Sequence, residues 1–205
     1  MPRVKENEGF KIGEKENRKR EIKMLEYAVL YQSETGNTRQ IAAEIFSAIP
    51  SDFKDLINIC ECRQIPEAKI YFVGFGVYKG TCSRKIIDCL SQLSDKKIVL
   101  FATCGAKPLE EYRKLVESNV TAWIEDDNEY IGMFMCQGKM RMEVRKKYEE
   151  SRTPENLFHI NKMLENFDEA MLHPNKQDLE RVRQFTIETL KKMEKVSSFD
   201  RYSWF

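Results

Sequence analysis

The sequence has no Cys-x-x-Cys pair and only two histidines, so an iron–sulfur or zinc centre has little to build from. No apolar run approaches the roughly 20 residues that span a bilayer, and no apolar signal core follows the N-terminus. A cytoplasmic setting without a membrane partner is therefore expected. Net charge is almost absent, with 34 Lys and Arg against 33 Asp and Glu. The balance is uneven: the first 23 residues carry eight basic residues and five Glu, leaving 26 basic and 28 acidic residues from Met24 onward. That near-neutral body argues against a nucleic-acid binder that relies on a broad basic face. Missing too are the Gly-Lys-Ser/Thr ending of a Walker loop and any Gly-x-Gly-x-x-Gly run. Six cysteines in a cytosolic chain read as free thiols rather than a disulfide framework.

What is present is alternation. A length of 205 residues suits one domain with a substantial core. Met1 to Lys23 is almost devoid of apolar residues and reads as a disordered charged tail, either a leader ahead of Met24 or a basic arm that docks a partner. From Tyr27 on, strand-like and helix-like segments alternate. Tyr27–Tyr31, Asp55–Ile59, Lys69–Gly74, Lys97–Thr103 and Tyr130–Cys136 read as five strands. The spacing of Ile41, Ile45 and Phe46 predicts a first helix. Ile86, Ile87, Leu90 and Leu93 predict a second, capped near Ser83, and Leu109–Asn119 a third. Residues 139–175 form an additional helical segment in two pieces, broken at Ser151-Arg152-Thr153-Pro154 and again at His173-Pro174. A last helix, Asp178–Lys195, turns Leu179, Val182, Phe185, Thr186 and Leu190 toward the sheet, and the tail ends in an aromatic Tyr202-Ser203-Trp204-Phe205. Alternation of this kind predicts an α/β fold: a doubly wound five-stranded parallel sheet with helices on both faces.

Ligands of such sheets bind beyond the carboxyl ends of the strands, at a switch in strand order. Three loops fall on that edge: Ser33–Thr38, Phe75–Thr81 and Thr103–Pro108. The first, Ser-Glu-Thr-Gly-Asn-Thr, joins a buried strand to a helix start, where unpaired N–H groups and the helix dipole favour a phosphate. It carries hydroxyls, an amide and a glycine but no cation. The plainer alternative is a well-capped helix start.

With Ser33-x-Thr35-Gly36-Asn37-Thr38 after the first strand and a Gly-x-Gly-bearing second loop, the chain resembles the flavodoxins over about Met24–Gln137 and the last helix. Its style around Gly74–Cys82 is similar to flavodoxin-like proteins of anaerobes, among them the small subunits that accompany bacterial bilirubin reductase. The resemblance implies FMN as cofactor. Ser33, Glu34, Thr35, Gly36, Asn37 and Thr38 would surround its phosphate. Val77, Tyr78, Lys79 and Gly80 would face one side of the flavin ring, and Thr103, Cys104 and Gly105 the other. Tyr78 would stack on the ring or simply cover the loop. The Lys79-Gly80 peptide would rotate to hydrogen-bond the flavin N5, and Lys79 would raise its potential.

Three departures from the flavodoxin pattern stand out. The third loop lacks an aromatic cover, the body is not strongly acidic, and residues 139–175 are extra. Cys104 reads as a small strand-end residue rather than a redox thiol. Met133, Met135, Met140 and Met142 read as core, His159 and His173 as surface or capping residues, and Cys60-Glu61-Cys62 as incidental. The implied function is electron transfer to a partner oxidoreductase. The alternatives are a flavin-dependent reductase acting directly on a small organic substrate, and an interaction module that keeps the fold without the flavin.

Overall fold

The computed structural model describes residues 24–200, with side chains to Lys195. The charged tail and the terminal aromatics discussed above lie outside the described residues. The strands are β1 (Leu25–Tyr31), β2 (Lys54–Asn58), β3 (Ala68–Gly76), β4 (Lys97–Cys104) and β5 (Glu129–Gln137). The helices are α1 (Asn37–Ala48), α2 (Arg84–Leu90), α3 (Glu110–Thr121), α4 (Met142–Glu150), α5 (Leu157–Ala170) and α6 (Lys176–Asp200). All strand pairs are parallel, in the order β2-β1-β3-β4-β5. The chain therefore moves outward one way from β1 to β2 and the other way from β3 to β5. The switch point lies between β1 and β3.

The unbroken apolar run of β4 is explained by burial on both faces. Ile98, Leu100 and Ala102 join the core under α2 and α3, with Ile86, Leu90, Val116 and Val120. Val99 and Phe101 join the opposite core under α1 and α6, with Ile41, Ile45, Val182 and Leu190. Fully burying each such aliphatic or aromatic side chain stabilises the fold by roughly 1.5–3 kcal/mol. Gly74 is required by this packing, because a Cβ there would run into the Phe101 ring on the adjacent strand.

The last helix starts two residues before the sequence pattern predicts, at Lys176, because Asn175 caps it. Asn175 Oδ1 accepts from the N–H groups of Gln177 (2.9 Å) and Asp178 (3.2 Å), while Asn175 N–H donates to Asp178 Oδ2 (2.9 Å). This reciprocal capping box uses an Asp whose side chain is buried. His173 Nδ1 lies 2.5 Å from the same carboxylate, so this histidine, expected at the surface or in a cap, contacts the capping aspartate rather than the helix end itself.

Residues 139–175 do form two helical pieces, α4 and α5. They make a hairpin held by Arg145, which pairs with Glu149 and Asp168 and lies over the Phe167 ring. The methionines divide differently from expectation. Met133 and Met135 are core, but Met142 is exposed and Met140 stands at the cavity described next, because β5 ends at Gln137 and the chain leaves the sheet there.

Candidate functional site: a cavity at the switch point

Beyond the carboxyl ends of β1, β3 and β4 lies a cavity of about 420 Å³, within the roughly 300–1,000 Å³ typical of small-molecule sites. The three predicted loops meet there. Glu34, Thr35, Asn37 and Thr38 line it from the first loop, Val77 and Tyr78 from the second, and Thr103, Cys104 and Gly105 from the third. Four further candidates sit outside the lining. Ser33 and Gly36 belong to the first loop's backbone turn, and Lys79 and Gly80 form the tip of the second.

The first loop is shaped for an anion. Gly36 is the N-cap of α1 at φ +86°, a left-handed conformation that favours glycine, and no side chain caps the helix. The first N–H groups of α1 and the positive end of its dipole therefore face the loop. Thr38 and Thr103 are 2% and 5% exposed and their hydroxyls lie 2.9 Å apart, so a bond joins the first loop to the third. Asn37 Nδ2 donates to Thr35 Oγ1 (2.9 Å) and to the Lys139 carbonyl (2.8 Å). Ser33 Oγ is buried with no hydrogen-bond partner in the described chain. A buried orphan hydroxyl is costly, and here it stands in the loop whose chemistry suits a phosphate.

The second loop is a tight hairpin turn. Tyr78 and Thr81 exchange both backbone bonds, at 2.9 and 3.1 Å, around Lys79 (φ +50°) and Gly80 (φ +78°). Two consecutive positive φ values mark a type I′ turn. Asn119 on α3 donates to the Gly80 carbonyl (3.0 Å) and fixes the turn from behind. Tyr78 is 68% exposed at the cavity mouth, with Lys79 Nζ 5.4 Å from its ring centre.

The third loop is held by residues that the sequence did not single out. Gly105 carbonyl accepts from Gln137 Nε2 (3.0 Å) and from Asn166 Nδ2 on α5 (2.9 Å). Burial pushes the Cys104 thiol up to about 12, and its Sγ points to the Ala106 carbonyl at 3.0 Å. Cys104 is thus a protonated, packed thiol, as its place at a strand end predicts.

Also unforeseen is the segment that follows β5. Gly138, Lys139, Met140, Arg141 and Val144 complete the cavity wall, together with Gln32, Gly76 and Ser83. Met140 packs directly on Gly105, where a Cβ would strike its thioether. The wall beside the third loop, bare of aromatics in sequence, is thus covered from the additional segment. Only the glycines at 105 and 138 hinted at close approach, and sequence does not show what approaches.

Fold and site together define a doubly wound α/β protein with a phosphate-adapted loop at its β1/β3 switch point. A sequence profile of the flavodoxin domain matches residues 28–187. The chain belongs to the flavodoxin family, whose cofactor is FMN. It is 35% identical over 156 residues to the flavodoxin-like domain-containing protein BilS of Clostridioides difficile, covering 74% of this chain and 88% of that one. It is 25% identical over 185 residues to the BilS protein of Clostridium symbiosum, covering 81% and 96%. Its fold is similar to that of the flavodoxin of Streptococcus pneumonia TIGR4, with a TM-score of 0.50, 17% identity, and coverage of 81% of this chain and 98% of that one.

The residues present fit FMN. The orphan Ser33 hydroxyl, the uncapped α1 N-terminus and the positive φ of Gly36 are what a phosphate would use. Met140, Val77 and Tyr78 give apolar and aromatic surface for a ring.

Proposed function

We propose that this chain binds FMN in the switch-point cavity and passes electrons to a partner oxidoreductase. The observation that carries the reading is the buried Ser33 hydroxyl without a partner, set in a loop that offers the open N-terminus of α1. Flavin supplies the electron chemistry when bound, since it takes up and gives back electrons one or two at a time. The chain holds the phosphate with Ser33, Thr35, Asn37 and Thr38, and orients the ring between the type I′ turn and the Gly105 loop.

The side chains around the cavity favour a carrier over a stand-alone reductase. Cys104 keeps its proton far above neutral pH, and the one carboxylate in the lining, Glu34, is engaged by Arg141. Among the described residues the lining therefore presents no free carboxylate and no thiolate for work on a substrate. Tyr78, exposed at the mouth, offers the contact surface through which a partner would approach the ring. The sequence resemblance to subunits that accompany bilirubin reductase makes such an enzyme the partner class to test first.

The test is direct. The purified chain is expected to be yellow, to release FMN on heating, and to take FMN back. It is expected to show no NAD(P)H turnover on small acceptors until a partner enzyme is added. Turnover without a partner would replace this reading by the flavin-dependent reductase, and a chain that takes up no flavin would leave the interaction module.

A further inference from the structure

The phosphate loop has a charge problem that its own residues do not solve. Between Ser33 and Thr38 the only charged side chain is Glu34, an anion beside the place prepared for an anion. A carboxylate there opposes a phosphate dianion.

The counter-charge comes from 107 residues further along the chain, where Arg141 Nη2 stands 2.5 Å from Glu34 Oε2. Arg141 is the N-cap of α4 and lines the cavity with its neighbours Lys139 and Met140. Its position is fixed at the phosphate end by two contacts of the same short segment. The Lys139 carbonyl accepts from Asn37 Nδ2 at 2.8 Å. Gly138 lies so close to Asn37 that a Cβ would come within 2.7 Å of its Nδ2.

A guanidinium presents five N–H donors in a planar fork, so the bond to Glu34 leaves donors for a second anion. We propose that Arg141 is a specificity-determining residue, which cancels the Glu34 charge and donates to the cofactor phosphate, so that the cavity selects phosphorylated over unphosphorylated flavin. The assignment rests on the FMN reading above. It also gives the additional segment a task in binding: the strap Gly138–Arg141 carries, in Arg141 beside Lys139, the positive charge that the Ser33–Thr38 loop lacks.

The experiment compares FMN with riboflavin, which has the same ring and no phosphate, by fluorescence titration of the full chain. Arg141→Ala is expected to weaken FMN about tenfold, a figure kept modest because both side chains of the pair are more than half exposed to screening solvent. Riboflavin affinity is expected to stay within about twofold, and Arg141→Lys to fall between wild type and Arg141→Ala for FMN. FMN binding of the wild type is expected to weaken with added NaCl more than that of Arg141→Ala. Lys146→Ala, which removes a solvent-exposed partner of Glu150 on the same helix, is expected to change neither flavin. An unchanged FMN-to-riboflavin preference in Arg141→Ala would overturn the assignment while leaving FMN binding itself standing. A wild-type chain that binds neither flavin would overturn both.

Discussion

Asn166 on α5 donates to the Gly105 carbonyl at 2.9 Å, and its side-chain oxygen accepts from Lys107 N–H and from Gln137 Nε2, each at 3.1 Å. One amide from the additional helical hairpin thus satisfies both a carbonyl and an N–H of the third cavity loop. Asn166→Ala leaves the Lys107 N–H without that acceptor and removes one of two donors from Gly105. The expected cost is about 1–2 kcal/mol in urea unfolding of the flavin-free chain. FMN affinity is expected to fall as well, because the loop loses its fixed shape. Asn166→Asp keeps the acceptor for Lys107 and loses the donor to Gly105, so its cost in stability is expected to lie between wild type and Asn166→Ala.

Lys79 sits at φ +50° in the first central position of the type I′ turn, where a residue with a Cβ is strained. Lys79→Gly relieves that strain, worth roughly 1–2 kcal/mol, against roughly 0.5–1 kcal/mol of added chain entropy in the unfolded state. The expected outcome is a small gain in melting temperature for the flavin-free chain. The turn also bears on the proposed rotation of the Lys79–Gly80 peptide. Turning that peptide from I′ to II′ geometry is easiest with glycine at the first central position. Lys79→Gly is therefore expected to shift the flavin reduction potential measured by anaerobic dye titration, and an unchanged potential would argue that the peptide stays put.

Cys89 and Cys104 are buried, and desolvation pushes each thiol up to about 12 from an ordinary value near 9. The sign follows from proton counting. Between pH 9 and 12 the unfolded chain has released these protons and the folded chain still holds them. Unfolding then releases protons, so stability falls as pH rises. Below pH 9 the two thiols make no difference. Urea unfolding of the flavin-free chain is expected to show a decline above pH 9 that is shallower in Cys89→Ala than in wild type. A thiol reagent at pH 8 is expected to label exposed Cys60 first and the buried Cys82, Cys89, Cys104 and Cys136 only after unfolding.

Periodicity in the sequence was enough for the five strands because β1, β3, β4 and β5 each carry an apolar run that is buried over much of its length, while the edge strand β2 shows only the short apolar pair Leu56-Ile57, half-buried in the fold. β4, with its unbroken apolar centre, is sandwiched between the two cores as its run predicts. The three loops were legible because turn-forming and hydroxyl residues cluster where strands end, and ten of their residues do meet in one cavity. Met140 and Arg141 were not legible as site residues. Their roles depend on contacts with Gly105 and Glu34, 35 and 107 residues away, which no local pattern records. Gln32 and Ser83 escaped for a related reason. Each is an ordinary polar residue at an element end, and only the hydrogen bond between them places both beside the cavity.

Ser33 and Thr38 stand in the same loop and are expected to respond to truncation with opposite signs. Ser33 Oγ is buried and unpartnered, so Ser33→Ala removes a desolvated hydroxyl that gains nothing in the flavin-free chain. Its stability there is expected to be unchanged or higher by up to about 1 kcal/mol. Thr38 Oγ1, by contrast, is bonded to Thr103 Oγ1 across the sheet edge. Thr38→Ala leaves the Thr103 hydroxyl buried and alone, at an expected cost of about 1–3 kcal/mol. Toward FMN the two substitutions are expected to act alike, since in the proposed binding mode each deletes a donor to the phosphate, worth about 1.5–3 kcal/mol when charge-assisted. Thr35→Ala combined with Thr38→Ala is expected to lose a few kcal/mol of binding. Urea unfolding with and without FMN, together with FMN titration, separates the two effects. If Ser33→Ala destabilised the flavin-free chain and left FMN affinity intact, Ser33 would be a structural hydroxyl, and the phosphate would have to be held without it.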